Sequence, residues 1–122
     1  MNSTQKISAD ASQDPLIANP PENREGPFTT VVRRTVRKGR EEAFEEWLKG
    51  IMNDALRFHG HLGTGIIRPS KKSRPEYIIV FRFDTYENLM AWETSDVRRS
   101  WVERVQPLIT GETKVQRHTG LE

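Results

Sequence analysis

Between Pro75 and Asp84 the chain reads Glu76-Tyr-Ile-Ile-Val-Phe-Arg-Phe83. Tyr77, Ile79, Phe81 and Phe83 alternate with Ile78, Val80 and Arg82. Alternation of β-branched and aromatic residues predicts a strand. Because both of its faces are largely apolar, the strand is expected to be central and covered on both sides. It is the clearest strand of the chain, and the other elements must pack around it.

Those elements can be read by period. Phe28 to Val36 is rich in β-branched residues with no Gly or Pro inside, so it reads as a strand ended by Lys38-Gly39. Glu41 to Arg57 changes period: Phe44, Trp47, Leu48, Ile51 and Ala55 form one apolar stripe of a helix. Glu41, Glu42, Glu45 and Glu46 crowd its first turns, where the positive end of the helix dipole favours them. Gly50 stands in mid-helix against propensity, which points to close packing on a neighbour. Gly60 suits a left-handed cap, and Leu62 to Arg68 reads as a second strand. Lys71, Lys72 and Arg74 fall in a polar turn before the central strand. After it, Asp84 or Thr85 can cap a short helix over 86–94, and Thr94-Ser95-Asp96 signals another over 96–105. Thr113 to Thr119 reads as the last strand.

The order strand–helix–strand–strand–helix–strand predicts an α+β, ferredoxin-like βαββαβ fold: a four-stranded antiparallel sheet with its helices on one face. The other face still carries apolar side chains from the central strand, and a chain of 122 residues has no further helices to cover it. An open apolar sheet face calls for a partner, most simply a second copy.

Composition separates a tail from this domain. Met1–Pro27 is mostly Ser, Gln, Asp, Asn, Pro and Ala, with Ile7, Leu16 and Ile17 its only large aliphatics beyond Met1. It reads as a disordered arm, and 28–122 as the domain. The tail holds Lys6 and Arg24 against Asp10, Asp14, Glu22 and Glu25, so the overall charge of +2 leaves the domain mildly basic. The chain has no cysteine, which removes disulfides, thiolate metal sites and a Cys nucleophile. No apolar run reaches membrane-spanning length, and Met1–Pro27 has no apolar centre of a secretory signal. The cytoplasm is the expected compartment.

Four segments carry a family resemblance. Val36-Arg-Lys-Gly-Arg-Glu-Glu-Ala-Phe44-Glu-Glu-Trp47 resembles the V-x-P-G-x-x-x-x-F opening of the antibiotic biosynthesis monooxygenase family, with Lys38 where that family has Pro. Phe58-His-Gly-His-Leu-Gly63 resembles its F-P-G-H-x-G turn. The strand to Phe83, the helix Tyr86-Glu-Asn-Leu-Met-Ala-Trp92, and Ser95 to Trp101 resemble its strand, tryptophan helix and downstream serine. The resemblance covers about Phe28–Gly120. It implies a ferredoxin-like monomer that pairs through its sheet into a dimeric α/β barrel. It also implies oxygenation of small phenolic or quinol substrates with no cofactor. The family's haem-degrading branch uses an Asn on the first strand and a His on the second helix. This chain has neither, which argues against haem.

Oxygenation without a cofactor needs a pocket that binds an aromatic acid and stabilises its deprotonated form. On that basis Trp92, Arg34 and His118 are candidate catalytic residues, with Trp92 matching the family's helix tryptophan. Trp101, Tyr77, Phe81 and Arg82 are candidate substrate-binding residues, and Asn88 is a further polar group. Core packing of the tryptophans and pairing of the arginines with glutamates are the plainer readings. His59 and His61 form an H-x-H pair without a nearby third ligand, so no metal is expected. RNA-recognition modules share the element order, but their third strand carries glycines that Glu76–Phe83 lacks, so no nucleic acid is expected. The alternative function is a ligand-binding or regulatory dimer without catalysis.

Overall fold

A computed structural model describes residues 25–70 and 75–119. Residues 1–24 of the expected arm and the Lys71–Arg74 stretch lie outside them. The elements are β1 (Glu25–Val36), α1 (Glu41–Leu56), β2 (His61–Ile67), β3 (Glu76–Thr85), α2 (Tyr86–Glu93), α3 (Asp96–Val105) and β4 (Ile109–Thr119). The strands form one sheet in the order β2-β3-β1-β4, every neighbouring pair antiparallel. This is the ferredoxin-like α+β arrangement.

Two strands are longer than their sequence suggests. β1 begins at Glu25 rather than Phe28, because Glu25 pairs with Thr85 across a register shift that absorbs Gly26 and Pro27. A bulge is where a strand tolerates proline. β4 begins at Ile109 rather than Thr113. Ile109 and Thr110 pair with Val36 and Thr35, and the register then shifts. Gly111, at φ 75°, takes the left-handed turn of that irregularity. Pro107 and Gly111 look like breakers in sequence, yet Pro107 lies in a 3₁₀ turn, Gln106–Leu108, leading into the strand.

Alternation assigns each strand residue to a face. Phe28, Val32 and Val36 of β1 and Tyr77, Ile79, Phe81 and Phe83 of β3 are buried beneath the helices. Phe44, Leu48 and Ile51 of α1 and Leu89 and Trp92 of α2 complete that core. On the opposite face stand Val31, Ile78, Val80 and Arg82, all only half-buried. The central strand is thus covered by the chain's own helices on one side alone.

The caps follow the sequence. Thr85 accepts a hydrogen bond from the Asn88 backbone N–H at 3.1 Å, and Ser95 one from Arg98 N–H at 3.0 Å. Gly50 marks the crossing of α1 and α3, where a Cβ would lie 2.0 Å from the Trp101 ring. That indole is fixed further: its Nε1–H donates to Asp54 Oδ2 at 2.7 Å, and the Arg104 guanidinium lies 3.9 Å from its centroid.

Candidate functional site

A cavity lies between the helix-covered face of the sheet and all three helices. β1 contributes Thr30 and Arg34 and β3 contributes Phe81. Trp47 comes from α1, Trp92 and Glu93 from the end of α2, and Arg98 from α3. These positions follow from periodicity. Thr30 and Arg34 share the inward parity of Phe28, Val32 and Val36, so a polar pair is carried into an otherwise apolar layer. Trp92 is 2% exposed, edge-on to Phe58 at 5.1 Å and tilted against Phe81 at 5.8 Å. Arg34 lies 5.3 Å from the centroid of Trp47 and donates to Thr113 Oγ1 at 3.2 Å.

The cavity wall carries an ion pair whose carboxylate is buried and whose guanidinium is partly exposed. Arg117 of β4 stands opposite Thr30 in register and therefore faces the helices. Its Nη2 donates to Glu93 Oε1 at 2.8 Å, and its Nε lies 3.2 Å from each Glu93 oxygen. The Thr30 hydroxyl donates to Glu93 Oε2 at 3.2 Å, and Arg98 Nη1 reaches the Glu93 carbonyl at 3.5 Å. A carboxylate buried this deeply is tolerated because its oxygens are matched by charged and neutral donors. The volume open inside the cavity is about 20 Å³, close to the space of one water.

Of the residues singled out from sequence, the fold gathers Trp92, Arg34 and Phe81 at this cavity. It puts His118 and Arg82 on the other face, where both are register partners of Thr29. Arg82 follows Phe81 directly in β3, and adjacent strand residues point to opposite faces, so only one of the two can line the cavity. Trp101 serves the α1–α3 crossing, and Asn88 donates to Asp84 Oδ1 at 2.7 Å. Tyr77 lies away from the cavity, packed on Phe44 at 4.6 Å, and its hydroxyl donates to Glu45 Oε2 at 2.7 Å. Arg68 clamps the same carboxylate through two 2.9 Å bonds. Those bonds from Arg68 are the main reason Glu45 is held below its ordinary value, while burial and then the Glu45 contact push Tyr77 up to about 12.

His61 hydrogen-bonds to Thr64 Oγ1 at 2.7 Å and stands edge-on to Phe83, whereas His59 is exposed. No three His, Asp or Glu side chains converge as a metal site among the described residues. Sequence reasoning missed Glu93, Arg98, Arg117 and Thr30. A signal for Glu93 was available. It ends a helix, where the dipole disfavours a carboxylate, and so calls for a cation.

Comparison with known proteins agrees with this architecture. Residues 27–104 match the family model described as antibiotic biosynthesis monooxygenase. A protein of Nitrosomonas europaea named for that family superposes with a TM-score of 0.71 at 17% identity, covering 81% of this chain and 94% of the other. SnoaB, a cofactor-independent oxygenase from Streptomyces nogalater, superposes in a mutant form with a TM-score of 0.69 at 17% identity, over 79% of this chain and 94% of its own. At these identities the likeness is one of fold. An uncharacterized protein of Synechococcus elongatus is 31% identical over 68 residues, 56% of this chain, and the match spans 33% of that relative's length. No helix of the described residues is long and apolar enough to cross a membrane. Since the family model matches well over half of the sequence, the chain belongs to the antibiotic biosynthesis monooxygenase family.

Proposed function

We propose that the domain, taken as 28–122, is a cofactor-independent monooxygenase acting on a small aromatic or quinol substrate at the cavity beneath the helices. The observation that carries this reading is the lining: the aromatic side chains of Trp47, Phe81 and Trp92 border the cavity beside the buried guanidiniums of Arg34 and Arg98. Aromatic walls suit a planar ring, and a cation in a low-dielectric site stabilises the phenolate or enolate that must form before oxygen attacks. In the anthrone case a ring CH₂ and O₂ become C=O and water. The substrate supplies all four electrons that reduce O₂: one oxygen atom enters the ring carbonyl, and the other leaves as water with the two hydrogens. In this reading Arg34 holds the developing anion and Trp92 packs against the ring. His118 and Arg82 take no part, since they stand on the opposite face.

The test is oxygen uptake with a panel of anthrones and quinols. Stoichiometric conversion of any of them supports the reading, and no turnover across the panel counts against it. A second reading, a ligand-binding dimer without catalysis, is favoured by the small volume, because a ring can enter only if lining side chains move. Saturable binding without product identifies that case.

We further propose that two copies pair through the open sheet face. The support is physical. Val31, Ile78 and Val80 lie uncovered there, and buried Thr29 Oγ1 has no hydrogen-bond partner among the described residues. Light scattering that gives twice 14.1 kDa, unchanged on dilution, is the expected result. We assign the cytoplasm as the compartment, in keeping with a chain that has no cysteine.

A further inference from the structure

The cavity is covered on every side. Each side chain that lines it is buried, Arg98 at 9% exposure being the least so. Its open volume of about 20 Å³ holds a water and no ring, so a ring enters only if an element of the fold moves. The elements around it are not held equally. β1 and β3 are the inner strands of the sheet, hydrogen-bonded along both edges. α1 buries Phe44, Trp47, Leu48, Ile51 and Ala55, and α2 buries Tyr86, Leu89 and Trp92. The apolar side chains that α3 buries are Val102 and Val105. Local opening selects the segment with the fewest buried apolar contacts.

α3 also has a joint at each end. Ser95, extended at φ -73° and ψ 151°, separates it from α2, and the 3₁₀ turn Gln106–Leu108 separates it from β4. The second joint is anchored, since the Arg37 N–H donates to the Leu108 carbonyl at 2.9 Å. Between the joints, two indoles fasten α3 to α1. Trp47 Nε1–H donates to the Trp101 carbonyl at 2.8 Å, and Trp101 Nε1–H donates to Asp54 Oδ2 at 2.7 Å. Both bonds are only part-buried, so water can take over their groups when the helices separate. Arg98 and Val102, the cavity residues that α3 supplies, lie within one turn of Trp101 and must move with it.

We infer that α3 is the lid of this cavity, latched to α1 through Trp101, and that release of the latch controls access to the cavity. This concerns the regulation of the site proposed above. It rests on that reading for what enters, but not for the motion itself.

The test is hydrogen exchange by mass spectrometry on the full chain, comparing the protection of α3 with that of α1, β1 and β3. In the wild type α3 is expected to be at least about tenfold less protected than all three. Trp101→Phe keeps a ring at the crossing and removes the N–H, and a hydrogen bond to a carboxylate is worth about tenfold or more in such an equilibrium. α3 should then lose about tenfold more protection, with β1 and β3 unchanged, and Asp54→Ala should do the same. Protection of α3 that matches α1 or the inner strands in the wild type overturns the inference, as does a Trp101→Phe effect spread evenly over the sheet. The wild-type comparison decides this even if neither variant folds. Oxygen uptake from an anthrone by a protein whose α3 is as protected as its sheet would remove the lid and leave the oxygenase. Selective exchange of α3 without oxygen uptake on any substrate would do the reverse.

Discussion

Gly50→Ala is the substitution whose sign is least obvious from sequence. Alanine in the middle of a helix normally stabilises by about 1 kcal/mol over glycine. Here the added methyl would fall 2.0 Å from Cη2 of Trp101 and 2.7 and 2.8 Å from the adjacent ring carbons. Ordinary contact begins at 3.4 Å, so the indole must retreat by about 1.4 Å. It is not free to do so. Its Nε1–H is tied to Asp54, Arg104 covers its ring, and its own carbonyl accepts from Trp47 Nε1 at 2.8 Å. Overpacking costs ~1–3 kcal/mol, and losing a hydrogen bond to a carboxylate costs ~1.5–3 kcal/mol. Set against the helix gain, the net loss is ~1.5–5 kcal/mol. Urea unfolding should show a lower midpoint with an unchanged slope. In a Trp101→Ala background the obstruction is gone, and the same change should stabilise by about 1 kcal/mol. A Gly50→Ala protein as stable as wild type, or the same effect in both backgrounds, would refute the crossing described here.

Other outcomes follow from the same contacts. Glu93→Ala removes the carboxylate that Arg117 and Thr30 bond to and should cost ~1.5–3 kcal/mol in denaturant unfolding, whereas Glu93→Met with Arg117→Met should cost less. Ser95→Ala removes the cap of α3 and should cost ~1 kcal/mol by the same assay. Tyr77, raised to about 12, favours the folded state fully below its unfolded value of about 10 and loses that contribution as pH climbs toward 12. Difference absorbance should show one tyrosine ionising late, and earlier in Glu45→Gln. Glu45 has the opposite sign. Its lowered value stabilises above its ordinary 4.5, and the benefit fades as acid titrates it, so Glu45→Gln should be less acid-sensitive in thermal melts.

Much of this fold can be read in the residues. Apolar spacing locates α1, and Thr85 and Ser95 announce the helix starts. Gly50 betrays a close neighbour, although not which one. The strand ends are hidden, because a bulge lets Gly26-Pro27 and Gly111 sit inside strands that local propensity would stop. The site is half legible. Trp92, Arg34 and Phe81 are types that such chemistry needs, and the fold gathers them. Which face they share is set by strand parity relative to the helices, and β3, apolar on both faces, conceals that parity. The adjacency of Phe81 and Arg82 already excluded their acting together. Glu93 and Arg117 are 24 positions apart and meet only because β4 returns beside β1. No local pattern encodes that.

The central claim is that chemistry takes place under the helices and not on the open sheet face. The direct measurement is oxygen uptake, on whichever anthrone or quinol the wild type consumes, by Trp92→Phe, Arg34→Gln and His118→Ala, with each fold checked by circular dichroism. The account predicts that the first two lose at least about tenfold in kcat/KM, as expected when a group that stabilises the transition state is removed, while His118→Ala keeps wild-type turnover. Loss of activity in His118→Ala, with Trp92→Phe and Arg34→Gln unaffected, would contradict it and move the site to the other face of the sheet.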